Sequence, residues 1–227
     1  MNLTGKILYS FGDSLIAGHE LNYGLLDDLA ARHQLAWQNF AQNGATVVPT
    51  KPTDHTWPSD NQVPDIAAQV QGAPSEQPDL IIFDGLVNDC MSYIGQLRAI
   101  GTPALGYADA DFDRNTFAGA FEHACWTMRQ KYPAVPILYV SVHHMPNIPQ
   151  PLQDQAHALA ALLCAKWAFP VVDVYRAGTI NTCLPAMAAE FSYNGRPVFH
   201  GGDGTHLNKL GYQRYYTPML EAALAAV

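Results

Sequence analysis

The sequence predicts an α/β protein in which a central, mostly parallel five-stranded sheet lies between two layers of helices. Short apolar segments of strand length alternate with longer segments whose apolar residues recur at helical spacing. Strands and helices that alternate in this way form parallel sheets through right-handed crossovers, which gives a three-layer α/β/α sandwich. The chain has 227 residues, which suffices for one sizeable core but not for two ordinary α/β domains. We therefore expect residues 1–227 to form a single domain.

The predicted strands are short apolar runs that end in polar or turn-forming residues. The run at 6–11 ends at Gly12-Asp13, and the run at 36–40 is followed by the turn signal Asn43-Gly44. The other three predicted strands cover residues 80–84, 136–142 and 170–174. Because the carboxyl ends of parallel strands share one edge of the sheet, the residues that follow these strands are candidates for a functional site.

Apolar residues at helical spacing predict helices over 21–33, 115–131, 153–167 and 209–226. The segment 49–64 is rich in Pro, Asp and Thr and predicts an exposed loop. Asn194-Gly195 predicts a two-residue hairpin turn, since both residue types tolerate positive φ.

The composition excludes several classes of partner. The formal net charge is -8 and the basic residues are scattered, so we expect binding neither to nucleic acid nor to an anionic membrane. No stretch has membrane-spanning length and no signal peptide is recognised, which predicts a cytoplasmic protein. The 4 cysteines form no C-x-x-C pair, and we expect Cys125 and Cys164, which fall in helical apolar patterns, to be buried free thiols.

A serine, an aspartate and a histidine lie in motifs suited to nucleophilic catalysis. Ser14 stands in a Gly-Asp-Ser-Leu tetrapeptide after the first strand, and Asp203 precedes His206 by three residues before the last helix. A serine hydroxyl that attacks esters needs an imidazole to take its proton and a carboxylate to orient that imidazole. The α/β-hydrolase elbow G-x-S-x-G is absent, because Ile16 occupies the second glycine position.

These motifs, together with Asn88-Asp89 after the third strand, resemble the GDSL or SGNH hydrolase family over nearly the whole chain. The resemblance implies the flavodoxin-like SGNH-hydrolase fold and a serine esterase that needs no cofactor. It implies that Ser14 is the nucleophile, His206 the base and Asp203 the acid that orients it.

The same resemblance implies an oxyanion hole formed by the backbone N–H groups of Ser14 and Gly44 and by the side-chain amide of Asn88. The chain departs from the family's Gly-x-Asn-Asp motif, because Leu86 stands at the glycine position and Gly85 lies one place earlier. We expect the adjacent Asp13 and Asp89 to cap turns and hold loops rather than to act as acid or base.

A metal-dependent hydrolase is an alternative. His200, Asp203 and His206 recur every three residues and, with His143 or His144, would supply metal ligands. This alternative leaves the serine motif unexplained, so we favour the serine mechanism, with no metal and no cofactor. His143 and His144 follow the fourth predicted strand, and either a structural role or contact with substrate fits them. A nucleotide-binding module is disfavoured, since neither glycine-rich phosphate motif follows a predicted strand.

We therefore expect a serine carboxylic-ester hydrolase that acts on a small-molecule ester through an acyl-enzyme. The segment 91–113, with Tyr93, Tyr107 and Phe112, is predicted to form a rim of the pocket. Its Gly, Tyr and Asp content favours short, acetyl-like acyl groups on a carbohydrate or other small polar alcohol. A lipase or thioesterase that acts on longer acyl chains is the alternative. The sequence does not predict an oligomeric state.

Overall fold

Five parallel strands form the centre of the computed structural model, which describes residues 3–49, 65–91, 99–196, 198 and 201–225. The strands are paired in the order β2-β1-β3-β4-β5, and all four neighbouring pairs are parallel. Their bounds are Ile7–Phe11 for β1, Ala36–Asn39 for β2, Leu80–Phe83 for β3, Ile137–Val140 for β4 and Val171–Val172 for β5. The predicted α/β class and parallel sheet are confirmed.

The helices lie in two layers because the crossovers run in opposite directions along the sheet. The chain moves from β1 outward to β2, then back past β1 to β3, β4 and β5, and right-handed crossovers place the two sets of helices on opposite faces. Five of the helices are α2 at Asp27–His33, α3 at Ile66–Gly72, α5 at Phe117–Lys131, α6 at Gln150–Lys166 and α10 at Thr217–Ala225. Helix α5 contacts both α3 and α6, whereas α2 contacts α10.

Further helices follow several strands and loops. They are α1 at Ser14–Ala17, α4 at Val87–Cys90, α7 at Val174–Ala177, α8 at Pro185–Phe191 and α9 at Lys209–Gly211, with a π-helix at Tyr212–Tyr216. The predicted helix over 209–226 is therefore confirmed from Lys209 through Ala225, with the π-helix as its middle segment. Strand β5 is shorter than predicted, because the Asp173 side chain accepts the Arg176 N–H and begins α7.

Several predicted details differ from the structure. Helix α2 begins at Asp27, whereas His19–Leu21, at the predicted helix start, forms a 3-10 turn. Helices α3 and α8 were not predicted. The predicted hairpin turn is wrong, since Asn194 and Gly195 do not belong to the positive-φ residues. Residues 50–64 of the predicted exposed loop lie outside the described residues.

The core is built mainly from both faces of the central strands. Several strand side chains are fully buried, with 0% exposure: Leu8, Phe11, Ile81, Ile82 and Leu138. Burial of such a side chain stabilises the fold by about 1.5–3 kcal/mol. The predicted buried free thiols are confirmed, and Cys90 is buried with them, whereas Cys183 is exposed. Within the described residues, every helix is too short or too polar to cross a lipid bilayer.

Candidate active site

Ser14 lies at the edge of the sheet where β1 ends, as the first residue of α1. Asp13 caps this helix, since its Oδ1 accepts the Leu15 N–H at 2.9 Å. The backbone N–H of Asp13 donates in turn to Oδ1 of Asp84, which follows β3, at 2.9 Å. The start of α1 is thus tied to the neighbouring strand. The prediction that Asp13 caps a turn is confirmed.

Gly12 permits this close approach between the two strand ends. Its φ is 155°, and a Cβ atom at this position would lie 1.9 Å from Asp84 Oδ1. The side chain of Gln69, on α3, completes the support: Gln69 Oε1 accepts the Gly12 N–H at 2.8 Å, and Gln69 Nε2 donates to the Gly12 carbonyl at 2.9 Å. The backbone before Ser14 is therefore fixed from two sides.

His206 and Asp203 meet Ser14 at this edge, although Ser14 and His206 are 192 positions apart. His206 Nε2 lies 2.8 Å from Ser14 Oγ, and His206 Nδ1 lies 2.6 Å from Asp203 Oδ2. The other carboxylate oxygen, Oδ1, accepts the backbone N–H groups of Thr205 and His206, each at 2.9 Å. The side chains of His206 and Asp203 are 13% and 6% exposed. The three predicted residues thus lie in one hydrogen-bonded row.

The segment that carries Asp203 and His206 is held by the backbone of Tyr193. The Tyr193 N–H donates to the His206 carbonyl, and the Asp203 N–H donates to the Tyr193 carbonyl, each at 2.8 Å. Asn147 adds a side-chain bond from its Nδ2 to the Asp203 carbonyl at 2.9 Å. The backbone of Tyr193, at the start of the predicted hairpin turn, therefore pairs with residues 10 and 13 positions later.

The Asn88-Asp89 dipeptide fixes the loop that contains Gly44. Asn88 Nδ2 donates to the Ala45 carbonyl at 2.8 Å. The Asp89 carboxylate accepts the Val47 and Val48 N–H groups, both at 2.9 Å. The expectation that Asp89 holds a loop is confirmed. Gly44 and Asn88, the two predicted oxyanion donors that lie outside α1, are therefore on segments that are hydrogen-bonded to each other.

Leu86 adopts the backbone conformation that favours glycine. Its φ is 143°, a region that costs a non-glycine residue about 1–3 kcal/mol. Gly85 has the same φ of 143° and Gly44 has a φ of 83°. Leu86 therefore stands at the glycine position of the family motif and has a positive φ, which glycine adopts more readily than leucine.

Three buried carboxyl groups lie beneath the site. Burial raises the pKa of Asp13 to about 6 and that of Asp89 to about 7, although backbone N–H groups donate to both. Burial, and then the nearby Asp13 carboxylate, raise the pKa of Asp84 well above its usual range. The Oδ2 atoms of Asp13 and Asp84 have no hydrogen-bond partner among the described residues. A negative charge on the carboxyl group of Asp13 thus disfavours ionisation of the neighbouring Asp84.

The histidines after β4 differ in their surroundings. His143 is fully buried, and its Nδ1 lies 2.9 Å from the Tyr216 hydroxyl; burial lowers its pKa to about 3. His144 is half-buried, and its ring packs on Tyr175 with the centroids 4.1 Å apart. The contacts of His143 therefore favour a structural role for this residue.

The alternative metal site is only partly described, because His200 lies outside the described residues. The described part of the chain brings together one group of potential metal ligands. Its members are His19, Asp203 and His206, whose ligand atoms all lie within 4.8 Å of one another. However, the rings of His19 and His206 are parallel to within 3°, so their in-plane lone pairs do not converge on one point. Both nitrogens of His206 also already face Asp203 and Ser14. This geometry does not favour a metal.

The described part of the predicted pocket rim lies against the helical layer. Tyr107 and Phe112 both pack edge-on against Trp167, with ring centroids 5.4 and 6.0 Å apart. Trp167 is the C-cap residue that directly follows α6. This packing does not support a rim role for Tyr107 and Phe112, and Tyr93 lies outside the described residues.

The chain matches the model of the GDSL-like lipase/acylhydrolase family over residues 10–214, and it belongs to that family. At the level of the family, the protein is therefore a hydrolase of esters. A search of curated proteins found no significant match.

Solved structures share the fold. A protein from Lactobacillus plantarum is 23% identical with a TM-score of 0.75, over 98% of each chain. A protein from Bacteroides uniformis, provisionally classed as a GDSL-like lipase, is 15% identical with a TM-score of 0.63, over 98% of this chain and 97% of its own. A lipase/acylhydrolase from Enterococcus faecalis is 17% identical with a TM-score of 0.53, over 97% and 96%.

Proposed function

We propose that the protein is a serine carboxylic-ester hydrolase with Ser14 as nucleophile, His206 as general base and Asp203 as the acid that orients it. The observation that carries this proposal is the row of hydrogen bonds from Ser14 Oγ to His206 Nε2, 2.8 Å, and from His206 Nδ1 to Asp203 Oδ2, 2.6 Å. Distances of this size are what proton transfer from a serine to an imidazole requires.

The first half of the reaction forms an acyl-enzyme. Ser14 Oγ attacks the acyl carbon while its proton passes to His206 Nε2, and Asp203 stabilises the resulting imidazolium. The negative charge on the substrate oxygen is received by the backbone N–H groups of Ser14 and Gly44 and by the Asn88 amide. The C–O bond to the alcohol then breaks, and the alcohol leaves with the proton from His206.

The second half returns the enzyme to its resting state. A water molecule gives a proton to His206 Nε2 and attacks the acyl carbon through the same oxyanion contacts. The bond to Ser14 Oγ breaks, the carboxylic acid leaves, and Ser14 regains its proton from His206. The side chains of this chain suffice for every proton transfer in the cycle.

We further propose short acyl groups on a polar alcohol as the substrate class. His206 delivers its proton to the leaving alcohol, and the neighbouring side chains of His19, Glu20 and Arg196 are polar or charged. Hydroxyl groups of a sugar or a similar alcohol would find hydrogen-bond partners there. An apolar cavity lined by Leu3 and Leu80 lies at the opposite edge of the sheet, where β3 begins, and is thus too remote to receive an acyl chain from Ser14.

The variant Ser14→Ala tests the mechanism. We expect it to lose hydrolysis of nitrophenyl acetate and covalent labelling by an organophosphonate, with an unchanged unfolding transition. Ser192→Ala is the matched control, since its buried hydroxyl has no hydrogen-bond partner among the described residues, and it should keep both properties. Full activity in Ser14→Ala would end the proposal.

A second candidate is an acylhydrolase for longer acyl chains, which the names of the Bacteroides and Enterococcus structures favour. A series of nitrophenyl esters of rising chain length, run beside acetylated sugars, separates the two. We expect the highest kcat/KM on acetyl or similarly short esters. A kcat/KM that rises steadily toward long chains would support the second candidate instead.

A further inference from the structure

The imidazole of His206 is covered on one face by the ring of His19. The two rings are parallel to within 3°, with centroids 3.8 Å apart. Tyr193 contacts His19 edge-on, with centroids 5.2 Å apart at 86°. The edges of the His206 ring face Ser14 and Asp203. His206 is therefore held at both ring nitrogens and on one ring face. The proton transfers of ester hydrolysis use only the contacts at the two nitrogens.

His19 is held in a backbone conformation that side chains seldom adopt. Its φ is 45°, in the left-handed region, and Gly18 and Asn22, which flank the 3-10 turn at His19–Leu21, have φ values of 95° and 49°. Histidine and asparagine are among the few non-glycine residues enriched there. Local strain of this kind persists only where the surroundings hold it in place, and it concentrates at functional sites.

Glu20 provides that hold through a side-chain network. Its carboxylate accepts bonds from the Tyr193 hydroxyl and from the Arg196 guanidinium, and the Arg196 bond lowers the pKa of Glu20 to about 2. The His19-Glu20 dipeptide thus links the segment after the nucleophile to Tyr193. Tyr193 in turn bonds through its backbone to both Asp203 and His206.

We propose that His19 is a positioning residue for ester hydrolysis, whose ring stacks on His206 and prevents the imidazole from turning out of the plane that joins Asp203 to Ser14. This role rests on the proposed function of Ser14 and His206. Rotation of the imidazole would break both of its hydrogen bonds, and a parallel ring at 3.8 Å leaves no room for an edge to swing toward it.

Two substitutions separate ring stacking from backbone conformation. His19→Asn removes the ring but suits the left-handed backbone, whereas His19→Phe keeps a ring but tolerates that backbone poorly. With nitrophenyl acetate, whose leaving group lacks the hydroxyl groups of a sugar, we expect kcat to fall about 10-fold in His19→Asn with KM little changed, because a misplaced base slows the chemical step. His19→Phe should keep kcat within about 3-fold of wild type despite lower stability.

A spectroscopic measurement reports on the His206 ring itself. The Nδ1 proton that His206 shares with Asp203 gives a far-downfield proton NMR signal, which we expect to be sharp in the wild type and in His19→Phe and broadened in His19→Asn. His33→Asn is the matched control. His33 lies on α2 and pairs with Glu221 at 3.1 Å, away from the site, so this variant should change neither kcat nor the signal.

The outcomes distinguish this role from the proposed function. Activity that persists in Ser14→Ala overturns the function and the role together. Inactive Ser14→Ala combined with wild-type kcat and signal in His19→Asn overturns the positioning role alone, as does an equal loss in His19→Phe and His19→Asn. If His19→Asn does not fold, Glu20→Gln replaces it: a reduced kcat with unchanged KM supports the role, and wild-type kcat contradicts it.

Discussion

The variant Asp203→Asn tests how the acid sets the tautomer of His206. Oδ1 of Asp203 accepts two backbone N–H groups, at 2.9 Å each, while Oδ2 faces His206 Nδ1. An amide in this place keeps both backbone bonds only if its oxygen takes the Oδ1 position. At about 1 kcal/mol for each bond, that orientation is favoured by about 2 kcal/mol, or about 30-fold.

The favoured orientation points the amide NH2 at His206 Nδ1. The imidazole then accepts at Nδ1 and carries its proton on Nε2, where it cannot take the proton of Ser14. The loss of the carboxylate charge removes a charge-assisted bond to the imidazolium, which costs a further 10- to 100-fold, approximately. The two effects together predict a fall in kcat of about 10³-fold.

The assay is steady-state hydrolysis of nitrophenyl acetate at pH 7, with thermal unfolding to verify the fold. Asp173→Asn is the matched control, because Asp173 caps α7 through the Arg176 N–H at 3.1 Å and asparagine caps helices equally well. It should leave kcat unchanged. A kcat for Asp203→Asn above about one-tenth of the wild-type value would refute this account of the tautomer.

Three other substitutions test the oxyanion loop and its support. Asn88→Ala should lower kcat by about 10²- to 10³-fold with little change in KM, if its amide receives the oxyanion; an unchanged kcat contradicts that role. The folded-state pKa of Asp89 is raised to about 7, so its contribution to stability is present below the ordinary value near 4 and is lost as pH rises through about 7. Urea unfolding from pH 4 to 8 should show a larger loss of stability in the wild type than in Asp89→Asn, in which Asp13 and Asp84 still titrate with raised pKa values, and equal slopes in the two proteins would contradict it. Leu86→Gly should be more stable than Leu86→Ala in urea, the reverse of the usual order, because only glycine relaxes a φ of 143°; the usual order would show that the backbone is not strained.

The strands and the C-terminal ends of helices α2, α5, α6 and α10 could be predicted to within a few residues because their signals are local. The residues of β3 and β4 are buried on both faces, so each strand reads as a continuous apolar run. Helix α3 has no such signal, since it is short and carries Gln69, a polar residue that is only 5% exposed. Its bonding partner, Gly12, lies 57 positions away. A single sequence does not reveal that pairing.

The motif residues of the site were predictable, whereas the contacts around them were not. Asp203 and His206 are three residues apart, so a turn alone brings them together. The place of His19 depends on the stack with His206 and on the bonds from Glu20 to Tyr193 and Arg196. None of these side-chain contacts leaves a periodic pattern in the chain. The Asn-Gly signal at 194–195 was misleading for the same reason, because the partners of Tyr193 are residues 203 and 206.

Leu86 explains how the site keeps its backbone where the motif departs from the family. A leucine in this conformation costs about 1–3 kcal/mol, but the Leu86 side chain is 0% exposed and its burial contributes about 1.5–3 kcal/mol. The two effects offset each other. At the same time, Asn88 and Asp89 are fixed independently by their bonds to Ala45, Val47 and Val48. The segment that carries Asn88 is therefore held by its hydrogen bonds to the loop at 45–48, and the burial of Leu86 offsets the cost of its backbone conformation.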